Sequence, residues 1–230
     1  MAGNRIQDHR AEQELTKYLD INIYPTITKY YRKVYNNYNV VGVRVTNKDD
    51  QIHGIDYKFV ISNNETTFNI CIDEKSQLYY MKNPLQTFAF EINSLQRGFT
   101  SPGWLFDNSL LTDIYMLIYP KSNSPISSIS FNDFHDVECY LIRKNDLINY
   151  LNRRGFSHDL CLKMATDIRN NQANYIKDDG SRYKYSIDDS YHTTISDIYF
   201  TYSYHLLEHP INLIINKKDL IDMSFFKIKK

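Results

Sequence analysis

The 230-residue sequence lacks several features that define whole classes of protein. Its net charge is zero, because 27 Lys and Arg residues balance 27 Asp and Glu residues. This argues against a uniformly basic nucleic-acid-binding surface but allows a local basic patch. The three cysteines, Cys71, Cys139 and Cys161, show no Cys-x-x-Cys spacing, so neither a disulfide framework nor a zinc knuckle is predicted.

Long apolar runs are also missing. No stretch reaches the roughly 18 apolar residues of a membrane helix, and residues 1–15 are too polar for a secretory signal peptide. We therefore expect an intracellular, cytoplasmic protein that does not act at a membrane. A hydrophobic fraction of 42% with 23% charged residues is ordinary for a globular chain.

The apolar pattern that is present predicts a mixed α/β fold. Residues 8–35 carry apolar side chains at mostly helical intervals, and the interruption at Pro25 predicts two helical pieces. Three strands should follow at 40–45, 54–61 and 67–80, because polar turn residues separate these segments. This order predicts a three-stranded meander.

The remaining chain continues to alternate between strands and helices. A short element at 87–95 and a loop at 98–103 precede the strongly apolar residues 110–120, which predict a buried strand. Further elements are expected as a strand at 137–143, helices at 144–155 and 158–170, a strand at 196–203 and a strand-helix pair at 211–223.

Two of the predicted strands carry charges in their middles. On the first strand, Asp56 lies on the face opposite to the apolar side chains. On the second, Asp73, Lys75 and Gln77 share one face, whereas Glu74 points to the other. If the two strands pair, Asp56 joins Asp73 and Lys75 in one polar patch.

Two carboxylates and one ammonium group are costly in a sheet unless a cation sits between the carboxylates. Mg²⁺ is the natural cation, since it is held by one or two carboxylates and keeps waters and phosphate oxygens as further ligands. A bound metal and a nearby lysine would together promote phosphodiester hydrolysis. The alternative is a solvated face with an ordinary salt bridge, which contributes little to stability.

Ile55-Asp56 followed by Asp73-Glu74-Lys75 resembles the motif of the PD-(D/E)XK nuclease superfamily. This superfamily includes many restriction enzymes, resolvases and phage or repair exonucleases. Isoleucine replaces the proline of the motif, a departure that the family often tolerates. The similarity covers about residues 8–150 and extends to small phage or mobile-element members.

The resemblance implies a restriction-endonuclease-like mixed central sheet flanked by helices. Residues 1–155 would form this nuclease-like core domain. The resemblance does not explain residues 156–230, which we expect as a C-terminal α/β extension packed on the core as part of one globular unit. The implied cofactor is Mg²⁺, with Mn²⁺ as an alternative. The implied partner is nucleic acid, with DNA favoured over RNA, and a homodimer stays open. The residue usage, typical of an AT-rich genome, and this family favour a prokaryotic or phage-encoded protein.

The resemblance also implies roles for single residues. Asp56 and Asp73 would be metal ligands, Lys75 the catalytic lysine, and Glu74 would contribute only its backbone carbonyl to the metal.

Two further positions complete this set. Many members add an acid from the helix before the sheet, for which we choose Glu14 over Glu12 as a catalytic and metal-binding residue. Gln77 occupies a position that often carries a polar active-site residue.

A second hypothesis is a catalytically inactive, nuclease-like binding or interaction protein, for example one acting in phage or host defence. The intact set of charged residues argues against it, because loss of activity usually removes such costly charges.

Other motifs compete less well. Asp56-Tyr57-Lys58 is a second Asp-x-Lys, but the strand predicted before it carries no acid. His205-Leu206-Leu207-Glu208-His209 matches a zinc-protease pattern that needs a helix, and Pro210 directly after it disfavours one.

Three residues have either a place at the site or only a packing role: one could face the site or cap the apolar patch around Phe88 and Phe90, and the other two could shape the mouth of the site. These are Glu91, Trp104 and Asp113.

Overall fold

The computed structural model describes residues 5–96, 98–170, 176–177, 182–184, 198–203 and 206–230. The helices of this part of the chain are α1 (Arg5–Tyr18), α2 (Tyr24–Val34), α3 (Lys48–Ile52), α4 (Lys144–Arg153), α5 (His158–Arg169) and α6 (Lys217–Met223). A π-helical turn, Leu19–Ile23, joins α1 to α2, and 3-10 turns span Leu78–Tyr80 and Phe131–Asp133. No helix among the described residues is long and apolar enough to cross a membrane.

The strands form two six-stranded sheets. Their bounds are β1 (Asn39–Arg44), β2 (Tyr57–Ser62), β3 (Thr67–Ser76), β4 (Thr87–Gln96), β5 (Phe99–Pro102), β6 (Ile114–Lys121), β7 (His135–Arg143), β8 (Ile176–Lys177), β9 (Arg182–Lys184), β10 (Ile198–Tyr202), β11 (Ile211–Asn216) and β12 (Phe226–Lys229). Sheet A has the order β1-β2-β3-β6-β7-β12, and sheet B the order β5-β4-β11-β10-β9-β8.

Sheet A is mixed, because β3 and β6 run parallel while its other neighbouring strands are antiparallel. Helices lie against both of its faces. The predicted mixed α/β architecture, with a mixed sheet flanked by helices, is therefore confirmed. Strand β4 pairs with β11, and β7 pairs with β12, so strands from before and after residue 155 share both sheets.

Sheet A separates two apolar clusters. The cluster on one face includes side chains of α1, the π-helical turn and α2, among them Ile27, which packs with Phe59 and Met116. The cluster on the other face contains Tyr115 and Leu117 with residues of sheet B, α4, α5 and α6. Strand β6 supplies side chains to both clusters in alternation, which explains why residues 110–120 read as a continuously apolar strand.

In the helical region before sheet A, α1, the π-helical turn and α2 follow one another without a break. Pro25 lies in the first turn of α2, where its missing N–H removes no intrahelical hydrogen bond. The π-helical turn before it changes the helix phase without ending the helix. Two helical pieces are thus present, as predicted.

Local details differ from the prediction where a short element depends on a particular partner. Residues 47–51, expected as a turn, belong largely to α3, whose first turn is capped when Asn47 Oδ1 accepts from the N–H of Asp50 at 2.8 Å. The expected strand 67–80 ends at Ser76 and continues as a 3-10 turn. Residues 98–103, expected as a loop, contain β5, and β12 was not predicted.

Candidate active site

A cleft of about 660 Å³ opens where α1 meets the ends of β2 and β3. Helix α1 contributes His9, Glu12, Gln13 and Thr16, which are spaced as one face of a helix. Asp56, Asp73 and Lys75 line the cleft from the sheet side. The cleft therefore brings together side chains that are distant in sequence.

The pairing of β2 with β3 places the two aspartates side by side. Tyr57 lies opposite Ile72 in the antiparallel register, so Asp56, one residue earlier, lies opposite Asp73 on the same face. The Nζ atom of Lys75 lies 2.7 Å from Oδ1 of Asp73. Oδ2 of Asp56 accepts a hydrogen bond from the N–H of Glu74 at 2.7 Å, which fixes that carboxylate.

Asp73 is buried in a way that is costly for a carboxylate. The residue is only 1% exposed, and its Oδ2 atom is buried without a hydrogen-bond partner. Burial raises the pKa of Asp73 to about 7; Lys75 opposes this shift and Asp56 adds to it. An unpartnered buried oxygen beside a second carboxylate is a place where a cation would be stabilised.

Asp56 and Asp73 fit Mg²⁺ or Mn²⁺ as oxygen ligands. Within the described ranges, no group of three or more His, Cys, Asp or Glu side chains could hold a metal ion by itself. A donor set of two carboxylates is nevertheless ordinary for Mg²⁺, which keeps several waters and takes phosphate oxygens from its substrate. That the Glu74 carbonyl completes such a site stays a prediction.

Lys75 is held between a carboxylate and an aromatic ring. Its Nζ atom lies 5.1 Å from the ring centroid of Trp104. Trp104 can take this place because Gly103 passes close to the backbone of Glu91, where a Cβ atom would lie 2.3 Å from the Glu91 oxygen. Of the open candidates, Trp104 thus contacts the site through Lys75.

Glu74 also lines the cleft, but its side chain contacts α2 and β1. Its Oε1 atom accepts from the hydroxyl of Tyr24 at 2.5 Å and from Nη1 of Arg44 at 2.7 Å. Arg44 also contacts Asp20 at 2.6 Å and lies over the stacked rings of Tyr24 and Tyr57. Burial raises the pKa of Glu74 to about 7, with Arg44 opposing the shift. The motif of Asp56 and Asp73-Glu74-Lys75 did not predict this network of Glu74 with Arg44 and Tyr24.

Two predicted site residues are used elsewhere. Oε1 of Glu14 pairs with Lys17 at 2.5 Å, and its Oε2 accepts from the N–H of Phe131 at 3.0 Å. The amide of Gln77 donates to the carbonyl of Thr87 at 2.5 Å and accepts from the N–H of Leu85 at 3.1 Å. Both side chains therefore hold loops in place rather than face the cleft.

Glu12, not Glu14, is the helix acid at the cleft. Glu12 lines the cleft together with Asp56 and Lys75, and burial raises its pKa. The signal was present in the sequence as the polar stripe formed by His9, Glu12, Gln13 and Thr16 at helical spacing. Glu14 instead neighbours the buried stripe that contains Ala11 and Leu15.

The competing motifs take other places. Lys58 of the second Asp-x-Lys pairs with Asp50 at 3.1 Å. Asp113 uses Oδ2 to accept from the N–H of Cys71 at 2.8 Å and lines a different pocket. Burial raises the pKa of Glu91, which hydrogen-bonds Ser94. His205 of the zinc-protease pattern lies outside the described residues.

Comparisons with protein-family models, with curated proteins and with solved structures found no match for this chain.

The burial of Asp73 predicts a pH-dependent stability of the metal-free protein. The unfolded chain ionises this carboxyl near its ordinary pKa of 3.8, whereas the folded chain keeps the proton up to a pH of about 7. The free energy of unfolding should therefore fall as the pH rises from about 4 to about 7. Asp73→Asn removes this contribution, because the amide carries no charge. We expect the variant to be more stable than the wild type at pH 8 in EDTA, by on the order of 2–4 kcal/mol.

Urea unfolding at pH 8 and at pH 4.5 measures this difference. The gap between variant and wild type should shrink at the lower pH, because Asp73 is then protonated in the folded wild type. Glu74 keeps its own contribution in both proteins and cancels. An equal gap at both pH values, or a variant that is less stable at pH 8, would contradict the burial of a charged Asp73.

Proposed function

We propose that this protein is a metal-dependent nuclease of the PD-(D/E)XK type that hydrolyses phosphodiester bonds, with DNA favoured as the substrate. The observation that carries the proposal is the unpartnered, buried Oδ2 of Asp73 beside Asp56 and Lys75 in an open cleft. A structural salt bridge would not need a second carboxylate on the same face. A metal site does, because the ion offsets both charges.

The restriction-endonuclease-like fold belongs to the same proposal. Three features support it: a helix before the sheet, an antiparallel β1-β2-β3 meander, and an acid on β3 opposite the acid that precedes β2. The parallel placement of β6 beside β3 makes the sheet mixed, as the resemblance implies. In the chain, β4 and β5 lie between β3 and β6, and both belong to sheet B.

The side chains of the cleft have distinct roles in the proposed reaction. Asp56 and Asp73 would hold Mg²⁺ or Mn²⁺, which when bound would polarise the phosphoryl oxygen and acidify a water. Lys75 lies within 2.7 Å of Asp73, so its ammonium group can donate to the attacking water or to a phosphate oxygen next to that carboxylate. Its charge also offsets the charge that develops on the phosphate. Glu12 would bind a metal-bound water or a second ion from the helix side.

Cleavage assays test the catalytic assignment. With Mg²⁺ or Mn²⁺ at pH 8, Asp73→Ala and Lys75→Ala should each cleave plasmid, linear or single-stranded DNA at least about 100-fold more slowly than wild type. Lys58→Ala is the matched control, because this lysine ends the second Asp-x-Lys but pairs with Asp50. It should stay within about threefold of wild type.

A wild-type protein that cuts neither DNA nor RNA would overturn the proposal. So would Asp73→Ala and Lys75→Ala variants that cut as fast as wild type.

Metal titration separates a nuclease from an inactive, nuclease-like binding protein. A metal that binds only the folded state raises the unfolding free energy by about 2.7 kcal/mol at one hundred times its dissociation constant. We expect Mg²⁺ and Mn²⁺ to raise the melting temperature of the wild type, and Asp73→Asn to lose that increase. Ca²⁺ is a useful third ion, since it fills oxygen sites with different geometry. No shift with any of the three ions would favour the binding protein.

The choice between the two acids of α1 is tested by a pair of matched variants. Glu12→Gln should lower cleavage by about 10- to 100-fold, because an acid close to a metal-bound water affects metal affinity and activity on that scale. Glu14→Gln should cleave within about threefold of wild type, since its amide oxygen can still accept from Phe131. The reverse order of effects would show that Glu14 serves the site.

A further inference from the structure

A second pocket, of about 330 Å³, lies on the α2 side of sheet A. It is enclosed by the C-terminal half of α2, the beginnings of β3 and β6, and the junction between β7 and α4. None of the residues that line it also lines the cleft of Asp73. Its chemistry can therefore be examined apart from phosphodiester cleavage.

One residue that lines the pocket, Tyr31, has a buried hydroxyl group without a hydrogen-bond partner. Tyr31 is only 4% exposed, and its hydroxyl oxygen makes no hydrogen bond. The charges of Arg143 and Asp113 both act on this group, and both residues line the same pocket. Burial raises the pKa of Tyr31, so the hydroxyl stays protonated and is a donor. A buried donor without an acceptor costs about 1–3 kcal/mol, which a ligand acceptor would recover.

The mouth of the pocket is suited to an anion. The Arg143 side chain is 57% exposed and lies 4.5 Å over the ring of Phe225, and one nitrogen of its guanidinium contacts Asp146 at 3.3 Å. Arg143 is also the N-cap of α4, a helix of 10 residues, and caps it with no side-chain hydrogen bond. The N–H of Lys144 donates to the carbonyl of Asp113 at 2.9 Å, so the guanidinium group of Arg143 and the positive end of the helix dipole are what favour an anion here.

The walls are suited to a planar ring. Tyr30, Tyr31, Tyr35 and Phe225 all line the pocket. Tyr30 and Phe225 lie with ring centroids 6.2 Å apart. Asp113 adds an acceptor, and its position is fixed because Oδ2 accepts from the N–H of Cys71 at 2.8 Å. A ring with an amino group at its edge could donate to this carboxylate.

We propose that this pocket binds one nucleotide unit, with its base against the aromatic wall and its phosphate at Arg143 and the first turn of α4. Aromatic side chains stack on bases without regard to sequence, and Arg pairs with phosphate through charge-assisted hydrogen bonds. The Tyr31 hydroxyl donates to an acceptor of the base or sugar, and Asp113 accepts from an exocyclic amino group. A pocket of this volume is within the range of small-ligand sites.

The unit can be a free nucleotide or part of a strand, since both present the same groups. Isothermal titration calorimetry of the full chain in EDTA tests the proposal without any contribution from metal-dependent cleavage. The probes are the four nucleoside 5′-monophosphates, the corresponding nucleosides and inorganic phosphate. At least one monophosphate should bind at least tenfold more tightly than its nucleoside and than phosphate. Base preference should follow the presence of an exocyclic amino group.

Two variants assign this binding to the pocket. Tyr31→Phe keeps the ring and removes the unpartnered hydroxyl, so it should fold at least as stably as wild type and bind about 2- to 10-fold more weakly. Arg143→Gln should weaken monophosphate binding by about 10- to 100-fold while leaving nucleoside binding within about twofold. Arg153→Gln, at the other end of α4, is the control and should bind as wild type.

Competition identifies the source of the unit. A single-stranded oligonucleotide with a 5′ phosphate that displaces the bound monophosphate assigns the pocket to a strand, and one that fails to do so assigns it to a free nucleotide; either result supports a nucleotide site. Absence of binding by all four monophosphates at millimolar concentration overturns the proposal. Equal affinity for inorganic phosphate, or no effect of both Tyr31→Phe and Arg143→Gln, also overturns it. A failure of DNA cleavage leaves these results unaffected.

Discussion

The burial of the Asp73 carboxylate next to Asp56 is the constraint to which the surrounding structure responds. Two acids on one sheet face repel each other, and burial removes the water that would weaken the repulsion. Lys75 offsets part of this charge, Trp104 covers Lys75, and Gly103 lets the chain of Trp104 approach β4. One oxygen of Asp73 still lacks a partner. The described side chains therefore leave part of the cost of burying this carboxylate uncompensated.

The opposite face of β3 supports this arrangement. Glu74 is tied to Arg44 and Tyr24, so the backbone between Asp73 and Lys75 cannot rotate without breaking a buried, charge-assisted network. The N–H of the same Glu74 holds the carboxylate of Asp56. A single residue therefore joins a packed ion pair on one face to the position of a candidate metal ligand on the other. Glu74, the middle residue of Asp73-Glu74-Lys75, thus supports the site through its backbone N–H and through its buried side chain.

Much of the fold, and the central part of the site, could be predicted from periodicity and register. Strands β2 and β3 carry apolar side chains in alternation, so pairing across a short turn places Asp56 opposite Asp73. Apolar residues of β6 on both faces mark a central strand.

The features that could not be predicted depend on partners that are distant in sequence. The choice between Glu12 and Glu14 depends on which side of α1 packs on the loop at Phe131. The sequence shows that Gln77 is polar, but only the fold shows that its amide group hydrogen-bonds the backbone of Leu85 and Thr87. The short strand β12 is recognisable only through its pairing with β7.

Both sheets combine strand pairs that are close in sequence with pairs that are far apart. The β1-β2-β3 meander closes through local turns, whereas β4 must wait for β11 and β7 for β12. Local pairings form faster, because less chain entropy is lost when a short loop closes. During synthesis from the N-terminus, the two aspartates would therefore meet before β10 and β11 emerge to complete sheet B. The apolar side chains that pack on β10 and β11 would stay exposed until those strands emerge, which favours aggregation during this interval.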